Sequence, residues 1–326
     1  MHEIILFIVF LAILFEISNG WNDSANAIAT VVSTRVLSPF KAVALAACMN
    51  ILGAFVSTEV AKTIGEGVVS PEAVTNMVVV AALVTSFLWN ATLTRLGLPI
   101  SCSHALIGAL MGASVAYGGF AILNFAGLQK IFLSLLISPA IGVILGYLVM
   151  KLLLNFFGTH SPGTLNRTFG KLQLISSAFM AFSHGSNDAQ KGMGIITLAL
   201  VSDGLLSSME VPFWVILTCA MAMGLGTAMG GWRVIKTLGV NMLKLEPIHG
   251  FAAETTAAMT IIVSSHYGLP VSTTHVIATS IMGVGSTKRF SAVRWGLAGK
   301  IIMAWIFTLP VCFVAGLVIA ELLLHS

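Results

Sequence analysis

Two short polar stretches interrupt long apolar runs: Ser18-Asn19-Gly20-Trp21-Asn22-Asp23 and, 165 residues on, Ser183-His184-Gly185-Ser186-Asn187-Asp188. Each places a carboxylate where lipid would otherwise surround it. A charge at mid-bilayer costs about 2.5–3.5 kcal/mol on insertion scales, so such residues face a cavity and serve transport. In each stretch the Asn-Asp pair sits just after a glycine, Gly20 or Gly185, at which a helix can unwind. Unwound backbone at membrane depth is tolerable only where it lines a cavity or binds a solute. The expectation is two broken helices whose half-helix N-termini, at 23–26 and 188–191, present positive dipole ends to an anion. Asn22, Asn26 and Asn187 are assigned to that substrate. Carboxylates repel anions, so Asp23 and Asp188 read as cation ligands or proton carriers beside it, with sodium a candidate at this pair.

A second pair of motifs supplies donors. Gly97-Leu98-Pro99-Ile100-Ser101-Cys102-Ser103-His104 returns 171 residues later as Gly268-Leu269-Pro270-Val271-Ser272-Thr273-Thr274-His275. The proline ends one arm and the hydroxyls begin another. Ser101, Ser103, Ser272, Thr273 and Thr274 can cap the new helix or donate to a tetrahedral oxyanion. Two mirrored, donor-rich tips favour ligand binding over capping alone. His104 and His275 follow directly. A lone histidine is more often a structural donor, but a neutral imidazole here can donate to the anion or relay protons. Lys191 stands where the first copy has Asn26. It pairs with Asp188 or Asp23, or touches the anion; a fixed ammonium in place of a metal cation favours proton coupling. Glu254 lies on the arm before the second tip and Arg95 on the arm before the first. Glu16 and Arg95 receive no role beyond pairing.

The elements that must position these groups follow from composition. The chain of 326 residues is 57% hydrophobic and 9% charged, with a mean hydropathy of +0.98. Soluble domains carry about 25% charged residues, so lipid is the implied solvent. The first segment, Ile4 to Ile17, lacks a basic flank and a small-residue cleavage site and reads as a retained helix. The net charge of +4 forms no patch for nucleic acid. Cys48, Cys102, Cys219 and Cys312 sit singly, without metal spacing. No nucleotide-binding loop and no nucleophile–base order appears, so neither an enzyme nor a cofactor is expected.

The repeat divides the chain into 1–160 and 161–326, meeting in the polar stretch 158–168. Each half reads as a broken segment (4–34, 172–201), a plain span (40–58, 212–231), a hairpin (73–117, 248–285) and a long helix with an internal proline (128–157, 297–324). The hairpin arms return to one side, whether re-entrant or spanning, so each half crosses an odd number of times and its twin must be inverted. Basic residues test this. With the loop 59–71 outside, only Lys62 and Lys130 fall outside. One loop changes sign between copies: Glu59, Lys62, Glu66 and Glu72 in the first, Arg233, Lys236 and Lys244 in the second. Both termini are expected outside. The fold class is all-α, polytopic and membrane-embedded: two inverted repeats, each with a broken helix and a re-entrant-type helical hairpin.

These motifs resemble the inorganic phosphate transporter (PiT) family. Gly20-Trp21-Asn22-Asp23-Ser24-Ala25-Asn26-Ala27 is similar to its G-A-N-D-V-A-N-A signature, and His184 to Lys191 to the second copy. Gly268 to His275 matches its hairpin motif. The resemblance implies a homodimer in the cell inner (plasma) membrane that imports inorganic phosphate together with sodium or protons. Some members carry sulfate, which keeps a sister oxyanion as the alternative. By position it ties Asp23, Asn26, Asp188 and the tip hydroxyls to ion and phosphate binding, and makes Glu254 a carboxylate important for transport. Two departures matter. Gln190-Lys191 stand where other members have Ser-Asn or Ala-Asn, and the large hydrophilic central loop of longer relatives is missing, which implies a compact bacterial or archaeal type.

Overall fold

The computed structural model describes residues 2–325; Met1, Ser326 and the side chains of His2 and Glu72 lie outside the described residues. The first half holds α1 (His2–Ser33), α2 (Pro39–Gly53), α3 (Glu59–Gly67), α4 (Asn76–Leu96), α5 (Cys102–Gly118) and α6 (Phe125–Phe157). The second holds α7 (Pro162–Asp188), α8 (Gln190–Ser202), α9 (Phe213–Met229), α10 (Trp232–Ile235), α11 (Pro247–His266), α12 (Thr273–Ser286) and α13 (Trp295–Leu324). Among the described residues no strand forms, only one isolated bridge between Val69 and Leu123.

Four helices are long and apolar enough to cross a membrane: residues 3–33 of α1, and α4, α6 and α13. Pro139 and Pro310 lie inside α6 and α13, as expected. The regions read as plain spans are shorter than a crossing. At 1.5 Å per residue α2 covers about 22 Å against a hydrocarbon core of about 30 Å. In the second copy α9 stops at Gly230 (φ +67°), and the chain bends by 65° into the segment 232–241. Both hairpins form. Their second arms, α5 with 17 residues and α12 with 14, extend about 26 and 21 Å, short of full crossings.

The halves interdigitate. α5 runs along α13 and α12 along α6, while α1 packs on α9 and α7 on α2. Small residues permit this approach where lipid offers no hydrophobic drive between helices. A Cβ on Gly112 would stand 1.9 Å from the Phe313 carbonyl oxygen, and one on its repeat equivalent Gly283 would stand 2.2 Å from that of Val143.

α7 starts within the polar stretch 158–168: Ser161 accepts from the Thr164 amide and Pro162 takes the first helical position. One sequence expectation is corrected. The first broken helix is unbroken. α1 continues through Gly20 and Asp23, its polar donors finding partners without freeing backbone groups. Ser18 Oγ donates to the Phe15 carbonyl at 2.7 Å, Ser24 Oγ to that of Trp21 at 3.0 Å, and the asparagine amides reach sideways. Gly20 serves contact instead, since a Cβ there would lie 2.5 Å from the Met223 carbonyl oxygen on α9. Gly185 does the same against Asn50 of α2, at 2.1 Å. Only the second copy breaks, four residues later, at Ala189 between α7 and α8.

Candidate functional site

The interior of α1 and the α7–α8 junction face each other across the tip of the second hairpin, and the side chains there form one buried network. Thr274 Oγ1 donates to Asp23 Oδ1 at 2.9 Å, and Thr273 Oγ1 to Asp188 Oδ2 at 3.1 Å. Asn26 Nδ2 donates to the same two hydroxyls, at 3.0 and 3.3 Å. Lys191 Nζ sits 2.9 Å from Asp188 Oδ1, a turn away on the same helical face. One tip therefore joins both acidic centres and the buried ammonium.

His184, given no role from sequence, completes the cluster. Its Nε2 is 3.2 Å from Asp188 Oδ2 and 4.0 Å from Asp23 Oδ2. The spacing from His184 to Asp188 is one helical turn, a signal that was available in the sequence. Asn50 of α2 orients the ring. Its amide donates to Thr227 Oγ1 at 2.8 Å, leaving its carbonyl oxygen to accept the His184 Nδ1 proton at 3.0 Å. Nε2 then faces two carboxylates, so a proton or a cation belongs between them. Ligand atoms of Asp23, His184 and Asp188 all lie within 4.8 Å of one another, which suits one small cation.

The asparagines also tie each acidic helix to its own hairpin. Asn22 Nδ2 donates to Thr94 Oγ1 at 2.7 Å and Asn187 Nδ2 to Ser265 Oγ at 2.9 Å. These pairs are repeat equivalents, and each hydroxyl lies three residues before the left-handed glycine (Gly97, φ +76°; Gly268, φ +62°) that ends its arm. Thr94 and Ser265 both carry hydroxyls at the 171-residue offset, so they too were detectable. The side-chain oxygens of Asn22, Asn26 and Asn187, with Asp23 Oδ2, accept no protein hydrogen bond although buried. Buried acceptors of this kind are normally satisfied.

The remaining predicted residues separate from this cluster. Ser101 and Ser272 cap α5 and α12 by accepting from the His104 and His275 amides. Ser103 Oγ donates to the Val271 carbonyl at 3.2 Å, linking the tips to each other. The first tip thus sends no hydroxyl to the acidic pair; Cys102 and Ser103 stand where the second has Thr273 and Thr274. His104 and His275 pair with each other, ring centroids 4.8 Å apart, and His275 stacks on Trp305 at 3.9 Å. Glu254 has its own shell: Thr30 Oγ1 at 2.5 Å, Gln173 Nε2 at 3.0 Å and the Ser176 hydroxyl. Arg95 is exposed at the end of α4. The freed amide of Gly192 at the start of α8 points at Glu16 Oε1, 2.6 Å away, and not at an anion pocket.

The family model described as "Phosphate transporter family" matches residues 19–316. The chain belongs to the phosphate transporter family. Within that family it is 44% identical over 314 residues to the "Probable low-affinity inorganic phosphate transporter" of Bacillus subtilis (strain 168), covering 95% of this chain and 94% of the relative. It is 45% identical over 305 residues to the protein of the same name from Rhizobium meliloti (strain 1021), covering 93% and 91%. A solved structure described as "The sodium-dependent phosphate transporter" superposes with a TM-score of 0.93 over 99% of both chains; at 23% identity that likeness is one of fold. This family comprises transporters rather than enzymes, and the polytopic helical fold with its apolar spans agrees with membership.

Proposed function

We propose that this member of the phosphate transporter family imports inorganic phosphate across the cell membrane by symport with a cation, a proton or sodium, as a homodimer of two inverted repeats (1–160 and 161–326) with both termini outside. The observation that carries the proposal is a charge imbalance. Among the described residues Glu16, Asp23, Asp188 and Glu254 are buried, and Lys191 is the one buried lysine or arginine. Four carboxyls against one ammonium cannot all stay ionised in a low-dielectric layer, and an arriving oxyanion deepens the deficit. Cations must therefore enter with the anion or ahead of it.

The geometry suggests how. Asp23, His184 and Asp188 take the cation or proton. Thr273 and Thr274, released from the carboxylates when these are neutralised, turn their hydroxyls to the phosphate oxygens beside Lys191 and the amides of Asn22, Asn26 and Asn187. Anion affinity then depends on cation occupancy, which is the thermodynamic content of coupling. Alternating access follows from exchange of the two repeats about a fixed midplane site. The named relatives support phosphate as the cargo.

Radiolabelled phosphate uptake by the purified chain in proteoliposomes tests this. Uphill accumulation driven by an inward proton or sodium gradient, absent when both are collapsed, is expected. Equilibration without accumulation under either gradient would refute symport.

A further inference from the structure

Glu16 is fully buried on α1, nearly two turns before Asp23, and among the described residues it is the one buried carboxyl whose side chain accepts from a backbone amide. No lysine, arginine or histidine forms an ion pair with it among the described residues, since Lys191 is committed to Asp188. Its partners are the Gly192 amide on Oε1, at 2.6 Å, and the Asn19 amide near Oε2, at 3.4 Å. The pocket is shaped to admit it: a Cβ on Gly192 would lie 2.6 Å from Glu16 Cγ.

The break at Ala189 explains the contact. It leaves the Gly192 N–H and the Asp188 carbonyl without each other. Glu16 takes the N–H, and Asn19 Nδ2 approaches the Asp188 carbonyl at 3.4 Å. Glu16 therefore reads the state of the junction that carries Asp188 and Lys191. Asn19 Oδ1, meanwhile, is buried and accepts nothing. One amide thus offers an N–H to the ionised carboxylate and an oxygen to the protonated acid.

We infer that Glu16 is a second coupling group, taking up one proton at Oε2 and releasing it once per transport cycle. It stores this proton against the α7–α8 junction while the cation at Asp23, His184 and Asp188 comes and goes. Ionised, Oε2 accepts from Asn19 Nδ2; protonated, the new O–H donates to Asn19 Oδ1 after the amide turns, which also withdraws Nδ2 from the Asp188 carbonyl. Two side-chain oxygens are too few for a hard metal cation, which takes about six. The charged and titratable groups around it are Lys191 and Asp188 on the α7–α8 side, Cys219 on α9, Cys102 at the first tip and Asp23 further along its own helix. α4 faces this stretch of α1 with the neutral Asn90, whose amide donates to Ser18 Oγ at 3.5 Å. This inference rests on the symport proposal and specifies the ion that Glu16 handles.

The test uses the full chain in proteoliposomes with a pH-sensitive dye inside and labelled phosphate outside. Wild type should acidify the lumen as phosphate enters. Glu16→Gln keeps the acceptor for Gly192, so phosphate–phosphate exchange should stay within about twofold of wild type, while protons entering per phosphate fall and the pH dependence of accumulation flattens. Unchanged proton entry in Glu16→Gln overturns the inference, as does a folded Glu16→Gln that has lost exchange. Wild-type accumulation with sodium but no proton entry also overturns it. Should Glu16→Gln fail to fold, Glu16→Asp decides: a shifted pH midpoint supports the role and an unmoved one refutes it. A wild type that accumulates no phosphate under any gradient refutes symport itself, before any variant is compared.

Discussion

Thr274 and Asp23, 251 residues apart, are joined by a 2.9 Å hydrogen bond in which the hairpin hydroxyl donates to the carboxylate. Through this bond Asp23 holds the tip of the other half. Replacing Asp23 with Asn keeps size and hydrogen bonding but removes the charge that a cation neutralises. Asp23→Asn should express and insert normally, yet lose gradient-driven phosphate accumulation by at least about tenfold, or 1.4 kcal/mol. Uptake with and without a gradient checks this, and wild-type accumulation would make Asp23 a bystander.

Asp188 behaves differently because Lys191 leans on it at 2.9 Å. Removing one partner of a buried ion pair strands the other, at about 3–5 kcal/mol. Asp188→Asn is therefore expected to lower the melting temperature in detergent as well as abolish coupling. Asp188→Asn combined with Lys191→Gln should recover much of the stability and none of the coupling. Thermal unfolding by size-exclusion or fluorescence separates the two effects; a double variant no more stable than the single one contradicts the pairing argument.

Thr274→Ala and Ser101→Ala divide binding from capping. Thr274 reaches the acidic cluster, and loss of a hydrogen bond to a charged group is worth about 1.5–3 kcal/mol, so its phosphate KM should rise roughly ten- to a hundredfold. Ser101 caps α5 by accepting from the His104 amide at 3.2 Å. Its loss should cost about 1 kcal/mol of stability with KM nearly unchanged. Uptake kinetics beside thermal unfolding would expose the reverse pattern.

Much of this was legible in the sequence for physical reasons. Intramembrane carboxylates are costly enough to mark function, and the repeat offsets aligned Asn22 with Asn187 and Pro99 with Pro270 without any coordinates. The failures are equally specific. Gly20 before a polar centre suggested an unwound helix, but the same residue is needed where α1 meets α9, and only contacts between distant segments distinguish these uses. The tips looked equivalent, yet Cys102 and Ser103 in place of Thr273 and Thr274 leave the acidic pair to the second tip. Asn50 orients His184 across 134 residues, which no local spacing reveals.

The same close contact makes a stability prediction. Gly20→Ala would bring a Cβ within 2.5 Å of the Met223 carbonyl oxygen, and Gly185→Ala within 2.1 Å of that of Asn50. Backbone cannot move aside cheaply, so each should destabilise by about 1–3 kcal/mol or more. Gly163→Ala, with no atom within 4 Å of the added carbon, should be neutral. Detergent melting curves of the three variants provide the comparison, and a tolerated Gly185→Ala would return unwinding as the reason for that glycine.

Ser134 and Trp305 are repeat equivalents, 171 residues apart, and each donates to the proline carbonyl of the opposite half's tip. Ser134 Oγ meets the Pro270 carbonyl at 2.8 Å, and Trp305 Nε1 that of Pro99 at 3.0 Å. Each long proline-bearing helix therefore anchors the hairpin of the other half. Ser134→Ala frees the second tip, and Trp305→Phe frees the first while retaining an aromatic face for His275. Each should lower transport by a few fold, from about 1 kcal/mol per hydrogen bond. Because Ser103 ties the tips together through the Val271 carbonyl, the two losses should not be independent. Distant, uncoupled sites add to within about 0.3–0.5 kcal/mol. A double-mutant cycle on phosphate uptake should exceed that margin, and adding Ser103→Ala should bring it back to additivity. Additive effects with Ser103 intact would mean that the tips move separately.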